Sequence, residues 1–366
     1  MGDKSGSLGF FELSVEFWSD RRVFLTGHTG FKGSWMSLML QTLGAKVTGY
    51  SLKPSTNPSL FEVADIASNM VSIYADILDF DTLKLSLIEA KPEIVIHMAA
   101  QPLVRLSYEQ PIQTYATNVM GTANLLEILR DIPSVKVIVV VTTDKCYENR
   151  GWAWGYRESD ALGGYDPYSS SKACAELVCS AYRSSYFKSK KVRLATARAG
   201  NVIGGGDWSK DRLLPDLIRS FECNKDALIR NPKSVRPWQH VFEPLRGYLM
   251  LAQRLHDAKD EAFSRAWNFG PSYEDCRQVE WVASKMCELW GEDASWRSVL
   301  DAKLHEASTL KLDTSLANVE LGWKPVLNLE QGLILLVEWT KGYLESKNAY
   351  DFSMLQIQNY IRVSFF

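Results

Sequence analysis

Apolar and polar positions along this chain fall into blocks. Val23-Phe24-Leu25-Thr26, Glu93 to His97 and Lys136 to Val141 are short runs in which most side chains are apolar. A strand with one wet face would alternate, whereas a continuous apolar run suits a strand covered on both faces. Lys46 to Tyr50, Val71 to Tyr74 and Arg193 to Arg198 read as further strands of the same set. Helical spacing fills the gaps: Trp35 to Leu43, stopped by Gly44, then Asp81 to Ala90, Tyr108 to Arg130 and Tyr168 to Tyr186. This alternation predicts an α/β fold, a doubly wound parallel sheet of Rossmann type.

The pattern loosens after about residue 203. Gly204-Gly205-Gly206 and Asn231-Pro232 mark loops, Trp267 to Pro271 reads as a strand ending in a turn, and Val279 to Trp290 and Leu329 to Leu344 have helical spacing. The expected organisation is a dinucleotide-binding domain over 1–203, with part of 236–270 returning to it, and a smaller mixed α/β substrate domain over 204–366. There is no internal repeat.

Composition narrows the function classes. A net charge of −2 on 366 residues gives no field directed at nucleic acid or a membrane surface. The longest apolar-leaning run, Trp35 to Leu43, falls short of the ~20 residues a membrane span needs. No basic segment precedes an apolar core near the start, so a cytoplasmic location is expected. The six cysteines form no C-x-x-C and fit free thiols in a reducing compartment. The five histidines form no H-E-x-x-H, so no metal is expected, and His240 has no Ser/Asp arrangement suggesting a hydrolase triad.

The candidate chemistry begins after the first strand, at Thr26-Gly27-His28-Thr29-Gly30-Phe31-Lys32-Gly33. Gly27 and Gly30 would permit a tight turn and close backbone approach, Gly33 close helix packing, and the helix start would face a pyrophosphate. His28, Phe31 and Lys32 are candidate cofactor contacts in the same loop. A ribose-reading carboxylate is expected about 20 residues on, but Tyr50-Ser51-Leu52-Lys53-Pro54 stands there. Asp76, with Ile77, is then the candidate for the adenine end, and discrimination between NAD and NADP should be weak.

Tyr168 and Lys172 stand at i and i+4 on one helical segment, where an ammonium would pull the phenol's acidity below its usual ~10. The fifth strand ends in Thr142-Thr143-Asp144-Lys145, a hydroxyl, an acid and a base at the sheet edge where ligands of open α/β sheets collect.

Together the glycine loop, His97-Met98-Ala99-Ala100, Asn118-Val119-Met120-Gly121-Thr122 and the Tyr168/Lys172 pair resemble the extended short-chain dehydrogenase/reductase family. Thr143-Asp144-Lys145 falls where its sugar-nucleotide 4,6-dehydratase branch carries Thr-Asp-Glu. The lysine variant, with Gly200 to Trp208, is similar to the members that act on CDP-glucose and supply bacterial surface sugars such as those of O-antigen lipopolysaccharide. The resemblance implies NAD as cofactor, with Ala99 beside it, Tyr168 as base, Thr143 as relay, Asp144 as acid and Lys145 as the C5 base. It implies Asn118, Asn201, Arg212, Leu214 and Arg236 as substrate contacts. A lysine serves as base only when partly neutral, so a depressed pKa is expected at Lys145. The family habit of pairing two helices per subunit implies a homodimer or homotetramer through 108–130 and 168–186. Two other readings stay open: a 4-epimerase or a dehydratase for a dTDP, GDP or UDP sugar, and a module that senses NAD(P) without turnover. An epimerase has no use for the Asp144/Lys145 pair, and a sensor has none for Tyr168/Lys172.

Overall fold

The computed structural model describes residues 13–258, 260–291, 293–299 and 310–364. Strands β1 (Arg22–Thr26), β2 (Lys46–Ser51), β3 (Val71–Tyr74), β4 (Ile94–His97), β5 (Val137–Val141) and β6 (Arg193–Ala199) form one parallel sheet. Strands β7 (Asn201–Ile203), β8 (Ala227–Ile229) and β9 (Val235–His240) leave it, and β10 (Ala266–Phe269) returns to pair with β6, Ala266 opposite Thr196. The sheet order is β10-β6-β5-β4-β1-β2-β3, so the direction of winding reverses between β1 and β4. Open sheets of this kind place their ligand crevice at that switch point.

The apolar runs behave as strands covered on both sides. Val23, Leu25, Ile94, Ile96, Val137 and Val139 feed one core, and Phe24, Val95, Ile138 and Val140 the other. Each such buried side chain contributes about 1.5–3 kcal/mol. Helix α1 (Phe31–Thr42) packs on the first face, with Gly33 to Leu40 buried.

One expected helix is broken. Tyr108 to Arg130 divides at Gln110: a short turn ends at Glu109, Pro111 starts a new helix, a wide turn covers Ala116–Met120, and α2 (Gly121–Leu129) follows. Proline suits a first helical turn and excludes an interior position. The Tyr168 segment is helix α3 (Pro167–Tyr182), continued by a wide turn at Arg183–Phe187.

The second lobe is built from α4 (Leu213–Glu222), α5 (Phe242–Asp257), α6 (Val279–Trp290), α7 (Leu329–Ser346) and α8 (Ala349–Ser364), although α5 packs back beneath β5 and β6. It also holds a small sheet of β7, β9 and β11 (Cys276–Gln278), and a pair of β8 with β12 (Trp296–Ser298). The sequence pattern did not disclose α4, α5 or α8. The middle one is buried nearly all round, from Phe242 to Gln253, and so has no polar stripe to mark its period.

Candidate active site

A cavity of about 1180 Å³ runs along the carboxyl edge of the sheet, from the glycine loop past β5 and α3 to α4 and β8. It is slightly larger than the usual ligand pocket of about 300–1,000 Å³.

At one end, Gly27 has φ +75°, and a Cβ there would lie 2.7 Å from the Ala99 nitrogen. A Cβ on Gly33 would lie 2.0 Å from the Gly27 carbonyl oxygen, so this helix sits closer to the loop than any side chain allows. Gly30 needs correction: its φ of −76° is ordinary, and a Cβ would meet only the Gly27 oxygen at 3.5 Å. Among the described residues no side chain caps α1, whose first residues line the cavity, so its free amides make a cradle suited to a phosphate. Phe31, Lys32, Ser51, Lys53, Asp76, Ile77 and Ala99 also line this end. Asp76 additionally accepts a 3.0 Å hydrogen bond from the Leu78 amide.

His28 does not line the cavity. Its ring is buried behind the loop, bonded to Ser72 Oγ at 2.8 Å and packed on Phe61 and Tyr74, and burial pushes its pKa down to about 4. Lys32 turns its ammonium to the Tyr248 hydroxyl at 3.1 Å. His97 is a packed residue, tied at 2.7 Å to Thr26 and 3.0 Å to Thr122.

The centre is set by two local structures. Asp166 caps α3 by accepting from the Ser169 amide at 2.9 Å, and Pro167 fixes the first turn, which places Tyr168 at the cavity wall. Beyond β5, Thr143 Oγ1 accepts from the Lys145 amide at 3.3 Å, and the short turn Asp144–Cys146 directs Asp144 inward. Thr143, Asp144, Lys145, Tyr168 and Lys172 therefore line one space.

Electrostatics separate their tasks. Burial raises the Asp144 carboxyl above its usual value, while Lys145, the Thr143 hydrogen bond, Arg236 and Lys32 oppose it. Among the described residues Asp144 Oδ2 is buried and meets no hydrogen-bond partner, so it is open to a ligand. Tyr168 departs from the sequence expectation: burial pushes the phenol up to about 12, against the Thr143 hydrogen bond and the charge of Arg212. Lys172 instead donates to the Val141 carbonyl at 3.2 Å, and burial lowers its pKa to about 8.

Toward the far end, Asn201, Arg212, Leu214 and Arg236 line the cavity, Arg212 pairing with Asp207 at 3.2 Å. Arg230 and Asn231, which the sequence reading passed over, join them. Asn118 is elsewhere. It is buried, bonds both backbone groups of Gln101 at 2.9 and 3.1 Å and Ser171 at 2.8 Å, and so fastens the loop after β4 to α3.

A further group underlies the site. Glu176, one turn beyond Lys172, accepts from Thr142 at 2.5 Å, Thr196 at 2.7 Å and Arg198 at 3.0 and 2.9 Å. Arg198 continues to the Tyr147 hydroxyl at 2.7 Å, and Tyr147 to Asn268 at 2.7 Å. Its only signal in the sequence is a carboxylate at i+4 from Lys172 on an inward face. Among the described residues no group of His, Cys, Asp and Glu could hold a metal.

Residues 24–335 match the model of the GDP-mannose 4,6 dehydratase family, and the chain belongs to that family. Within it the chain is similar to CDP-glucose 4,6-dehydratase of Salmonella typhimurium, 55% identical over 354 residues that span 95% of this chain and 98% of that protein. Among solved structures it is similar to dTDP-glucose 4,6-dehydratase of Bacillus anthracis in complex with NAD, with TM-score 0.73, 24% identity and coverage of 90% and 99%. It is also similar to UDP-glucose 4-epimerase of Thermotoga maritima, with TM-score 0.78, 22% identity and coverage of 88% and 99%. At those identities the likeness is one of fold.

Proposed function

We propose that this chain is an NAD-dependent nucleotide-sugar 4,6-dehydratase, a lyase that converts CDP-glucose to CDP-4-keto-6-deoxyglucose. The observation that carries the reading is the Asp144-Lys145 pair beside Tyr168 in one cavity, in a chain 55% identical to a CDP-glucose 4,6-dehydratase. The cradle at Gly27 and Gly33 fits a dinucleotide, with the α1 amides at its pyrophosphate and Asp76, Ile77 and Ala99 along its length. NAD, when bound there, would supply the acceptor for the hydride from C4 of the sugar and its donor at C6.

The side chains handle protons. Burial holds the Tyr168 phenol high, and the Thr143 hydrogen bond and the Arg212 charge oppose it. A bound cationic nicotinamide would oppose it too, so that Tyr168 as phenolate accepts the 4-hydroxyl proton. The resulting ketone acidifies C5–H, which Lys145 removes. Asp144, whose carboxyl burial pushes above its usual value, delivers its proton to the departing 6-hydroxyl as water leaves. Lys145 then reprotonates C5. Arg212 and Arg236 bind the substrate pyrophosphate, with Asn201 and Leu214 beside them.

Two surroundings belong to the same reading. Ile112 and Met120, on the segment after Pro111, and Leu177 on α3 are exposed apolar side chains, which supports a homodimer or homotetramer joined through these helices. All six cysteines are unpaired, as suits a reducing cytoplasm. Among the described residues no helix is long and apolar enough to cross a membrane.

Deuterium at C4 of CDP-glucose tests the proposal. The label is expected at C6 of a 4-keto-6-deoxy product, with one solvent deuteron at C5. Return of the label to C4 would establish an epimerase, and loss of it to free cofactor a net oxidoreductase.

A further inference from the structure

Glu176 and Arg198 take no part in the proton transfers, yet together they hold both segments that do. Glu176 stands on α3 one turn beyond Lys172 and two beyond Tyr168, and Arg198 on β6 pairs with it at 2.9 Å, both side chains nearly sealed from water. The other segment, Thr143-Asp144-Lys145, is gripped at its two ends by residues that also border the cavity. Before it, Thr142 Oγ1 donates to Glu176 at 2.5 Å. After it, Arg198 donates to the Tyr147 hydroxyl at 2.7 Å, and that hydroxyl donates to Asn268 Oδ1 at 2.7 Å. Asn268 on β10 is itself held, its amide donating to the Tyr156 and Asp313 carbonyls at 2.9 and 3.1 Å. The Tyr147 ring stacks on Tyr156 at 5.2 Å. Burial pushes the Tyr147 phenol up, against the Arg198 charge, so its hydroxyl is a neutral bonding group and not a base.

We propose that Tyr147 and Thr142 are positioning residues: through Arg198 and Glu176 they set the place of Thr143, Asp144 and Lys145 relative to Tyr168. The proposal rests on the reading of Asp144 and Lys145 as the groups that expel water. Tyr168 acts at the 4-hydroxyl, whereas Asp144 and Lys145 act at C6 and C5, so two separate segments must address neighbouring carbons of one sugar. Bonds inside the turn, from the Lys145 amide to Thr143 and from Thr143 to Asp144, fix its shape but not its distance from α3. The Glu176–Arg198 pair supplies that distance, because one carboxylate on α3 reaches both ends of the turn. A misplacement of about 1 Å can cost roughly 100-fold in rate, which makes such a brace worth two buried charges. Tyr147 holds the end beside Lys145, and Thr142 the end beside Thr143, so loosening each should injure a different step.

The test follows single turnovers of the full-length protein with NAD and CDP-glucose, reading reduced nicotinamide by its absorbance. Tyr147→Phe keeps the ring on Tyr156 and removes both bonds of the hydroxyl. It should slow elimination by about tenfold or more while oxidation stays within about twofold of wild type, so that reduced cofactor accumulates. Thr142→Val, which carries the test alone if Tyr147→Phe does not fold, should slow oxidation by about tenfold. Without cofactor, hydrogen exchange at the Lys145 and Cys146 amides should quicken in Tyr147→Phe while that of α3 is unchanged. Equal slowing of both steps in Tyr147→Phe, or any pattern in which elimination does not suffer more, overturns the proposal by reducing the network to structural support. Unchanged exchange at the two amides overturns it as well, as does wild-type oxidation in Thr142→Val. If Asp144→Asn and Lys145→Ala themselves fail to accumulate reduced cofactor, the reading of that pair falls instead, a result that Tyr147→Phe alone cannot produce.

Discussion

Glu176→Gln is expected to cost stability out of proportion to the single atom exchanged. The carboxylate lies between α3 and strands β5 and β6, nearly sealed from water, and receives all its hydrogen bonds from Thr142, Thr196 and Arg198. A glutamine amide would set two N–H donors against those donors and leave the Arg198 guanidinium buried without its counter-charge. Breaking one partner of such a pair costs about 3–5 kcal/mol. Unfolding entropy of roughly 2.1 cal/mol/K per residue gives a chain of 366 residues about 0.8 kcal/mol/K, so the melting midpoint should fall by roughly 5 °C. The pH dependence has a definite sign. Burial works against the Glu176 charge, but Arg198 and the hydrogen bonds win and hold its carboxyl below the usual value. Its contribution is therefore complete above the unfolded carboxyl's pKa and is lost as pH falls through the lower folded value. Calorimetric scans at pH 8 and at progressively lower pH should show the wild-type and Glu176→Gln midpoints converging. Glu176→Met with Arg198→Met, which removes both charges, should cost less than either single change. A Glu176→Gln midpoint within 1 °C of wild type at pH 8, or a double variant less stable than both singles, would refute the reasoning.

Three further outcomes follow from the site. Tyr168→Phe should remove turnover while CDP-glucose still binds, because only the phenolic oxygen is lost; more than a tenth of wild-type activity would exclude it as the base. Gly33→Ala should weaken NAD binding by at least tenfold in calorimetric titration, since the new Cβ would fall 2.0 Å from the Gly27 oxygen; unchanged affinity would show that the helix can retreat without cost. Because Lys53 and not a carboxylate lines the cavity after β2, Lys53→Glu should raise the preference for NAD over NADP, measured as the ratio of their dissociation constants, and an unchanged ratio would move ribose recognition elsewhere.

The sheet was readable from the sequence because strands sealed on both faces are spelled out in side chains: Ile94–His97 and Val137–Val141 are buried at every position. The candidate catalytic residues fall together in one cavity for a different reason, being held by local structure, a capped first turn for Tyr168 and a tight turn for Asp144. What escaped was decided by distant partners. Asn118 has the chemistry of a substrate contact, but Gln101 and Ser171 claim its amide. His28 stands in the right loop, and only Ser72 on β3 shows which way its ring turns. The i, i+4 spacing brings Lys172 close to Tyr168, but in this structure the Val141 carbonyl draws its ammonium and burial outweighs the rest at the phenol.

The return of β10 to the main sheet carries a consequence for how the molecule is assembled. Its partner β6 ends at Ala199, and β10 begins at Ala266, so the sheet's outer margin stays open while the intervening polypeptide is synthesised. At roughly 5–20 residues per second a ribosome needs several seconds to supply that stretch, during which β6 presents an unpaired backbone edge. A nascent chain halted before Ala266 would expose that edge to any extended peptide nearby. Severing the gene after β7, near Ile203, would therefore yield a sticky fragment, whereas co-expression of a piece carrying α5 and β10 should restore its solubility.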